Sequence, residues 1–398
     1  MRIGIDARFY GPIGKGLGRY TQEVVDNIIK INEALGDGAL DFVIFLSPAN
    51  FDEFNVKSPR VRKVKLNIPW YSWREQLIMP WLIAKEKLDL IHFPHFNVPI
   101  FTPTKMVVTI HDLILTHFPT VRATTKNTWV YRFKNLAYRF VLRMIIFRAE
   151  KIIAVSEFTK QDIIHTFPRA ASKIVVTYEG VANLAKGRDS LFVAKLDSEE
   201  MIQKYHLGKN FLLYVGNAYP HKNLETLIRV FNRLYAEQKD LKLVLVGKED
   251  YFYNRIKQYA RSLNLWQKEN LNSPVVFPGY VPDAQLEIMY QEARAYIFPS
   301  LYEGFGLPPL EAMGKGCPVI SSDRASLPEI LGSAALYFNP EDEEDMASKI
   351  KLVLKDEKLR SELIEKGIAK SREYNWWECA NKTFNIYRQA LLKTGKNK

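Results

Sequence analysis

Two glutamates separated by seven residues are the most informative side chains of this 398-residue chain. Glu303 and Glu311 follow a short apolar run, Ala295–Phe298, and the residues between them read Gly-Phe-Gly-Leu-Pro-Pro-Leu. Glycine lets the backbone approach a ligand closely, and proline is tolerated in a first helical turn. We therefore expect Glu303 on a loop and Glu311 in the first turn of a helix. Ionised carboxylates only accept hydrogen bonds, which suits the hydroxyls of a sugar or a ribose. Either glutamate alone could equally be a first-turn acid or a turn residue.

A lysine stands in a similar position after another apolar run, Phe211–Val215. The residues from Gly216 to Asn223 read Gly-Asn-Ala-Tyr-Pro-His-Lys-Asn, and a helical pattern follows. Asn223 is a favourable N-cap residue. Lys222, beside a helix N-terminus, adds a point charge to the helix dipole and is suited to bind a diphosphate. A lysine that simply extends into solvent is the alternative.

Two loops in the first half of the chain carry further candidates. The residues from Gly14 to Tyr20 read Gly-Lys-Gly-Leu-Gly-Arg-Tyr after a first apolar run. This loop lacks the Walker pattern and would fit any phosphate-binding α/β protein. His111 and Asp112 follow the run Met106–Ile110. A histidine beside an acid at the end of a strand often does acid–base work, although it can equally satisfy local backbone groups.

Some histidines are also spaced like metal ligands. His92 and His95 lie three residues apart, and His111 and His117 follow. A zinc site usually needs a further cysteine or carboxylate ligand, and the chain contains no Asp-x-Asp triplet, the usual device for binding a metal–diphosphate. We therefore predict no metal and no cofactor.

The elements that must position these residues alternate along nearly the whole chain. Short, continuous apolar runs are typical of strands buried on both faces, and amphipathic helical patterns separate them. The runs are Ile3–Ile5, Phe42–Leu46, Leu90–Phe93, Met106–Ile110, Ile152–Val155, Ile174–Thr177, Phe211–Val215, Leu243–Val246, Val275–Phe277, Ala295–Phe298 and Pro318–Ser321. This alternation predicts an α/β fold with parallel sheets. We expect two doubly wound, Rossmann-like domains, 1–190 and 191–374, and a C-terminal helix, 375–398, that packs back toward the first domain.

The spacing of Glu303 and Glu311, with the intervening glycines, resembles the E-x7-E signature of the family-4 retaining glycosyltransferases. The resemblance covers nearly the whole chain and implies the GT-B fold, two Rossmann-like domains facing a central cleft. It implies that Glu303 binds the hydroxyls of the transferred sugar and that Glu311 binds the ribose. The backbone of Gly304, Phe305, Gly306 and Leu307 would contact the hexose.

The same resemblance assigns the other candidates. Lys222, with Gly216 and Asn217, would bind the donor diphosphate, and Asn217 lies near a position where the family often has an arginine. The amide of Gly16 would meet the donor phosphate from the other domain. His111 and Asp112 would face the reacting sugar, so both join Glu303 and Lys222 as candidate catalytic residues. Retaining members are thought to let the departing phosphate take the acceptor's proton.

The string Gly-Asn-Ala-Tyr-Pro-His-Lys-Asn is similar to bacterial mannosyltransferases. It favours GDP-mannose over a UDP-hexose as donor, and a glycan or polyprenyl-diphosphate-linked acceptor in polysaccharide biosynthesis. Two alternatives stay open: a sugar-nucleotide epimerase of the same fold, and a basic α/β protein that binds nucleic acid. The chain has no recognisable nucleic-acid-binding signature, so we expect no nucleic acid among its partners.

The composition of the chain indicates the kind of partner and the cellular location to expect. Lys and Arg exceed Asp and Glu by 56 − 44 = 12, which suggests an anionic partner. Cys317 and Cys379 have no metal or redox spacing, and the chain has no signal-peptide pattern and no run long enough to span a membrane. We therefore expect a cytoplasmic protein that associates peripherally with the inner face of the membrane.

Two stretches combine cations with large aromatic residues. One runs from Arg60 to Lys65 and continues to Trp81, and the other is a predicted helix from Lys126 to Lys151. In that helix a stripe of large apolar residues recurs at helical spacing, with the arginines mostly beside it. The stripe comprises Trp129, Phe133, Leu136, Phe140, Met144 and Phe147, and the arginines are Arg132, Arg139, Arg143 and Arg148. Such a helix could lie in an anionic membrane interface, or could pack its apolar stripe on the sheet.

Overall fold

The computed structural model describes residues 1–118, 128–181 and 191–392. The chain divides into two compact units. One contains Met1–Gly180 and the segment that begins at Asn375, and the other contains Val181–Tyr374. The expected boundary at residue 190 and the start of the predicted basic helix at Lys126 lie outside the described residues.

The first unit is built on a parallel sheet. Its strands are β1 (Arg2–Asp6), β2 (Asp41–Leu46), β3 (Val61–Lys65), β4 (Leu90–Phe93), β5 (Lys105–Ile110), β6 (Lys151–Ala154) and β7 (Ile174–Val176). Its helices are α1 (Lys15–Glu33), α2 (Trp73–Lys85), α3 (Ile114–His117), α4 (Thr128–Arg148), α5 (Glu157–Thr166) and α14 (Trp376–Leu392). The described strands are ordered β3-β2-β1-β4-β5-β6-β7.

The second unit has the same plan. Its strands are β8 (Phe211–Val215), β9 (Lys242–Val246), β10 (Val275–Gly279), β11 (Ala295–Phe298), β12 (Val319–Ser322) and β13 (Ala335–Phe338). Its helices are α6 (Leu191–Lys204), α7 (Leu224–Glu237), α8 (Tyr251–Ser262), α9 (Asp283–Glu292), α10 (Leu307–Gly314), α11 (Leu327–Leu331), α12 (Glu343–Lys355) and α13 (Glu357–Ser371). Among the described residues the parallel strands run β10-β9-β8-β11-β12-β13. The predicted α/β class with two Rossmann-like sheets is therefore confirmed.

All eleven predicted strands are present, with ends shifted by at most two residues. Two strands were missed, and both lie at a sheet edge. β3 reads Val-Arg-Lys-Val-Lys and is only half-buried, while β13 reads Ala-Leu-Tyr-Phe. β3 carries cations because an edge strand is paired on one side only and does not need the continuous apolar run of a central strand. β13 is itself a short apolar run and was overlooked. The cationic part of the first basic and aromatic stretch, from Arg60 to Lys65, is thus largely an edge strand.

Helix α14 belongs to the first unit although it follows the second in sequence. It packs against α1 and β4, and its buried side chains include Trp376, Phe384 and Tyr387. The Tyr387 hydroxyl lies 2.6 Å from Nδ1 of His92 in the core of the sheet. In the described part of the chain, helices long and apolar enough to cross a membrane are absent.

Candidate active site

Lys222 and Glu303 form a buried ion pair beyond the carboxyl ends of the strands of the second sheet. They lie on the loops that follow β8 and β11, which are neighbouring parallel strands. The backbone N–H of Leu301 donates to the carbonyl of His221 at 2.8 Å and joins the two loops directly. Both side chains of the ion pair are only 11% exposed. The sequence therefore predicted that both residues follow the carboxyl ends of strands, but it did not reveal that they form an ion pair with each other.

The surroundings of this pair indicate which group of the loop would bind an anionic ligand. The Lys222 ammonium also lies 5.4 Å from the ring centroid of Phe298, over its face. Burial, and then the positive charge of Lys222, lower the pKa of His221 to about 4, so that imidazole is neutral at physiological pH. Lys222 is thus the cation of this loop. A bound phosphate and the Glu303 carboxylate would compete for it, because both are anionic acceptors.

The loop from Glu303 to Gly306 is held by a residue that the sequence analysis did not single out. The hydroxyl of Ser326, which is fully buried, bonds to the carbonyls of Glu303 (3.0 Å) and Phe305 (2.9 Å). Gly306 has a φ of 105°, a region that favours glycine, and a Cβ there would lie 2.8 Å from Cδ2 of Leu327. Gly304 and Phe305 are buried between these supports. The glycine conformation and the Ser326 bonds together fix where the Glu303 carboxylate stands.

Glu311 lies one turn later than we predicted. Helix α10 begins at Leu307, directly after the left-handed Gly306, so Pro308 and Pro309 fill its first turn and Glu311 starts the second. The prolines are in the predicted turn, since their missing N–H groups cost nothing there. Because helical residues four apart share a face, Glu311 lies on the same face of the helix as Leu307.

The loop after β8 is braced by two tyrosines. The Tyr214 hydroxyl donates to the carbonyl of Asn217 (2.7 Å), and the Tyr253 hydroxyl donates to that of Gly216 (2.8 Å). The Asn217 side chain accepts the N–H of Tyr219 at 3.3 Å and so closes the turn. A Cβ on Gly216 would lie 2.7 Å from the Tyr214 hydroxyl, which explains the glycine. Asn217 therefore has a turn-forming role besides any contact with a ligand.

Asn223 occupies the N-cap position of α7, as predicted, but it makes no capping hydrogen bond. Its backbone is left-handed, with a φ of 58°. Its amide donates instead to the carbonyl of Pro340 (2.9 Å), and its oxygen accepts the hydroxyl of Thr226 (2.7 Å). The expected side-chain cap is therefore wrong, because this geometry turns the side chain toward the neighbouring loop.

In the first unit, His111 is bonded through both ring nitrogens. Nδ1 lies 2.8 Å from a carboxylate oxygen of Glu179, and Nε2 lies 2.9 Å from the carbonyl of Pro94. Two acceptors on one ring require two N–H groups, that is, an imidazolium. Burial alone would lower the pKa of His111, but the hydrogen bond and charge of Glu179, together with the Pro94 carbonyl, raise it.

The carboxylate bonded to the His111 ring is therefore Glu179, after β7, and not its neighbour Asp112. The Asp112 carboxylate accepts the N–H of Ile114 at 3.0 Å, where α3 begins. Glu179 was missed because it is distant in sequence and stands in no recognisable motif. Only the parallel alignment of β5, β6 and β7 brings its loop beside His111.

The glycine-rich loop of the first unit is mostly helix. Helix α1 begins at Lys15, so Gly16 lies in its first turn, exposed, with nothing within 4 Å of a Cβ added there. An exposed first turn leaves N–H groups available to an anion. Gly18 is different, because a Cβ there would lie 2.1 Å from the carbonyl of Gly11. Gly18 is thus required by packing, whereas Gly16 is not.

His92 and His95 do not form a metal site. Both ring nitrogens of His92 are bonded, to Tyr387 and to Thr109 (2.9 Å), and Nδ1 of His95 accepts the N–H of Asn97 at 3.1 Å. Burial, and secondarily the charge of His111, lower the pKa of each to about 3. Within the described ranges, groups of three potential metal-binding side chains do not occur. These histidines are structural.

Each of the two sheets carries charged side chains beyond the carboxyl ends of its strands, where Rossmann-like sheets bind ligands, and comparisons with known proteins specify the family. Residues 39–182 match Glycosyltransferase Family 4, and residues 197–370 match Glycosyl transferases group 1. The O-antigen chain mannosyltransferase B of Escherichia coli is 30% identical over 334 residues, covering 82% of this chain and 81% of that protein. The chain therefore belongs to the family-4, group-1 glycosyltransferases.

A second relative and a solved structure agree. The O-antigen chain mannosyltransferase RfbU of Salmonella typhimurium strain LT2 is 30% identical over 282 residues, 71% of this chain and 69% of that protein. A sucrose-phosphate synthase from Thermosynechococcus elongatus matches the fold with a TM-score of 0.72 and 21% identity, covering 99% of this chain and 100% of that one. The fold is GT-B, and the protein is a glycosyltransferase.

Proposed function

We propose that this enzyme transfers mannose, with retention of configuration, from GDP-mannose to a glycan or polyprenyl-diphosphate-linked acceptor. The names of the two relatives, both O-antigen chain mannosyltransferases, support mannose and polysaccharide biosynthesis. A UDP-hexose is the alternative donor. The donor nucleotide and the hexose depend on few contacts, so a direct comparison of donors tests this part of the proposal.

The observation that carries the donor site is the buried pair of Lys222 and Glu303. The donor diphosphate takes the place of the carboxylate at Lys222. Glu303 is thereby released to accept hydrogen bonds from the sugar hydroxyls a short distance away. Glu311 binds the ribose diol. The loop at Gly216 and Asn217 contributes to diphosphate binding, and the backbone of the described loop from Gly304 to Leu307 contacts the hexose.

The residues of the first unit act on the same sugar and phosphate. The His111 imidazolium, held by Glu179, positions the sugar and stabilises the negative charge that develops on the leaving diphosphate. The Gly16 amide binds that diphosphate, and Asp112 orients the loop beside His111. The bond between the anomeric carbon and the phosphate oxygen breaks, the acceptor oxygen bonds to the same face, and the departing phosphate takes the acceptor's proton.

Transfer is independent of a metal, because Lys222 and helix N-termini supply the positive charge that a metal would supply. Chelation with EDTA should leave the rate unchanged, whereas Lys222→Ala should lower turnover on the order of 100-fold, the usual cost of losing one preorganised charge. Lys358→Ala, which removes an exposed lysine from α13 of the same unit, is the matched control. A loss after chelation that added divalent ions restore would contradict metal independence.

A donor screen tests the function directly. The purified protein is incubated with GDP-mannose, UDP-glucose and UDP-galactose, and both donor hydrolysis and thermal stabilisation are measured. We expect GDP-mannose to be preferred. Conversion of the nucleotide sugar to an epimer without an acceptor would favour an epimerase, and a salt-dependent shift of generic RNA or DNA would favour a nucleic-acid-binding protein.

We further propose that the enzyme is cytoplasmic and works at the inner face of the membrane, where a polyprenyl-linked acceptor is anchored. The excess of 12 positive charges supports attraction to an anionic surface. Association would be peripheral.

A further inference from the structure

Helix α4 presents an aromatic and cationic face that the core does not use. Leu136, Phe140 and Phe147 are 67%, 58% and 76% exposed, although they belong to the stripe that could have packed on the sheet. A different set of α4 side chains faces the core: Leu142, Ile145 and Ile146. The side chains of Trp129, Arg132 and Phe133 lie outside the described residues. The interpretation that the stripe packs on the sheet is therefore wrong for Leu136, Phe140 and Phe147.

Helix α2 carries a second face of the same kind. Trp73, Leu77 and Trp81 are 71%, 67% and 63% exposed and recur every four residues, so they form one stripe. The opposite side of the helix is buried through Met79 and Ile83, in the same core cluster as α4. Tryptophan and leucine at such exposure in a regular stripe are not explained by the folding of this unit, since the helix has its own core face.

The loop before β5 joins the two faces. Gln76 of α2 bonds to both Val98 (3.2 Å) and Ile100 (2.9 Å), and Arg148 of α4 donates to the carbonyl of Thr102 at 2.7 Å. Phe101, 75% exposed, stands between these two attachments. The stripes of α2 and α4 and Phe101 therefore form one surface of the first unit, which we call the aromatic surface.

The exposed charged side chains among the described residues of this surface are all positive. Exposed cations lie beside the rings on both helices: Arg74, Lys85, Arg139, Arg143 and Arg148. The ammonium of Lys85 lies 5.7 Å from the Trp81 ring. In the described parts of α2, α4 and the residues 98–104 between β4 and β5, the only carboxylate is that of Glu75, which is fully buried and bonded to Arg8. Interfacial tryptophans with flanking cations and no exposed acids are the pattern of a surface that binds anionic lipid.

We propose that the aromatic surface is the membrane-docking surface of this enzyme and binds a bilayer that contains anionic phospholipid. This inference rests on the proposed peripheral location and deepens it, because it names two helices and Phe101 where the sequence indicated one helix. A second copy of the chain fits less well. A two-fold contact through this face would bring its own arginines against each other.

Flotation with vesicles of phosphatidylcholine, with and without phosphatidylglycerol, tests the proposal on the full chain. We expect binding only to the anionic vesicles, and weaker binding as salt rises. Trp73→Ser with Trp81→Ser should lower partitioning at least tenfold, about the effect of no longer burying one large apolar side chain. Arg139→Gln with Arg143→Gln should lower it ~25-fold at low salt, about 5-fold per charge.

Leu271→Ser with Tyr280→Ser is the matched control, because it removes two equally exposed apolar side chains from the second unit. Circular dichroism establishes that each variant is folded, and the arginine pair keeps the test valid should the tryptophan pair unfold. Stabilisation by GDP in solution reports the donor site separately, so the two proposals can fail independently. Equal vesicle binding by the parent and both surface variants overturns the docking surface. So does light scattering that finds a dimeric parent and a monomeric tryptophan variant.

Discussion

At the scale of single residues, the buried pair of Lys222 and Glu303 separates two roles that are easily confused. A carboxylate that binds the sugar and a carboxylate that binds the ribose are both acceptors close to one nucleotide sugar. They differ in whether they contribute to binding of the free nucleotide, which has a ribose but no transferred sugar. Glu303 also pairs with Lys222 in the ligand-free protein. Replacing Glu303 therefore leaves Lys222 more available to a phosphate, and replacing Glu311 does not.

Glu303→Gln should abolish transfer while binding GDP at least as tightly as the parent, because a neutral amide competes with phosphate for Lys222 less strongly than a carboxylate does. Glutamine is preferred to alanine since it can still accept a bond from the buried lysine. Glu311→Ala should weaken binding of free GDP by about 1–3 kcal/mol, the scale of a charged hydrogen bond. Calorimetric titration of both variants with GDP gives the comparison. Equal losses of nucleotide affinity would refute the division of roles.

His111 should give the enzyme a pH dependence. The raised pKa means that the contribution of its imidazolium to stability is full below the ordinary pKa of about 6.5 and is lost as pH rises through the raised value. We expect activity to fall over the same range. Glu179→Gln removes the larger of the two negative charges that raise this pKa, the other being Asp112, so the falling limb should move to lower pH in a rate–pH profile.

A second histidine–carboxylate pair provides the control for that experiment. His117 lies 2.7 Å from Asp162, and its side chain is 36% exposed, whereas that of His111 is 18% exposed. Asp162→Asn should leave the profile unchanged. If Glu179→Gln also leaves it unchanged, the His111 imidazolium does not act in the reaction.

At the scale of elements, the loop between β11 and α10 depends on one glycine. Gly306 has a φ of 105° and lies next to Leu327. Gly306→Ala should destabilise the protein by roughly 1–3 kcal/mol, the cost of one strained backbone position, and should weaken donor binding. Thermal unfolding and GDP titration measure the two effects. Gly38→Ala, where a Cβ would meet nothing within 4 Å, should change neither, and equal losses in both variants would discount the special conformation.

The elements also explain what the sequence could predict. Central strands such as β4, β8 and β11 were found because burial on both faces requires a continuous apolar run. β3 was missed because a sheet edge tolerates half-exposed, charged residues, whereas β13 is a short apolar run that was overlooked. Lys222, Glu303 and His111 could be singled out as candidates because each stands in a recognisable motif. Glu179, which bonds His111, and Ser326, which bonds the carbonyl of Glu303, could not, because contacts between distant loops arise only once parallel strands have aligned.

At the scale of the whole molecule, the two segments in which the chain passes between the units are packed tightly. The N–H of Val181 donates to the carbonyl of Tyr374 at 3.1 Å. A Cβ on Gly180 would lie 2.2 Å from the backbone nitrogen of Trp376 and 2.5 Å from the carbonyl carbon of Asn375. Helix α14, which starts at Trp376, can therefore begin where it does only because residue 180 has no side chain.

Gly180→Ala should thus loosen the start of α14 and destabilise the first unit by about 1–3 kcal/mol, the usual cost of overpacking. Backbone atoms cannot yield as a flexible side chain can, so the whole segment must shift. Gly367→Ala is the matched comparison in the second unit, because its nearest neighbours are the Cγ and Cβ of Met313 at 3.1 and 3.2 Å, which can move. We expect scanning calorimetry to record a lower unfolding temperature for Gly180→Ala and a smaller change for Gly367→Ala. Proteolysis should also release the C-terminal helix faster in Gly180→Ala, and equal stability of that variant and the parent would contradict a tightly packed crossing.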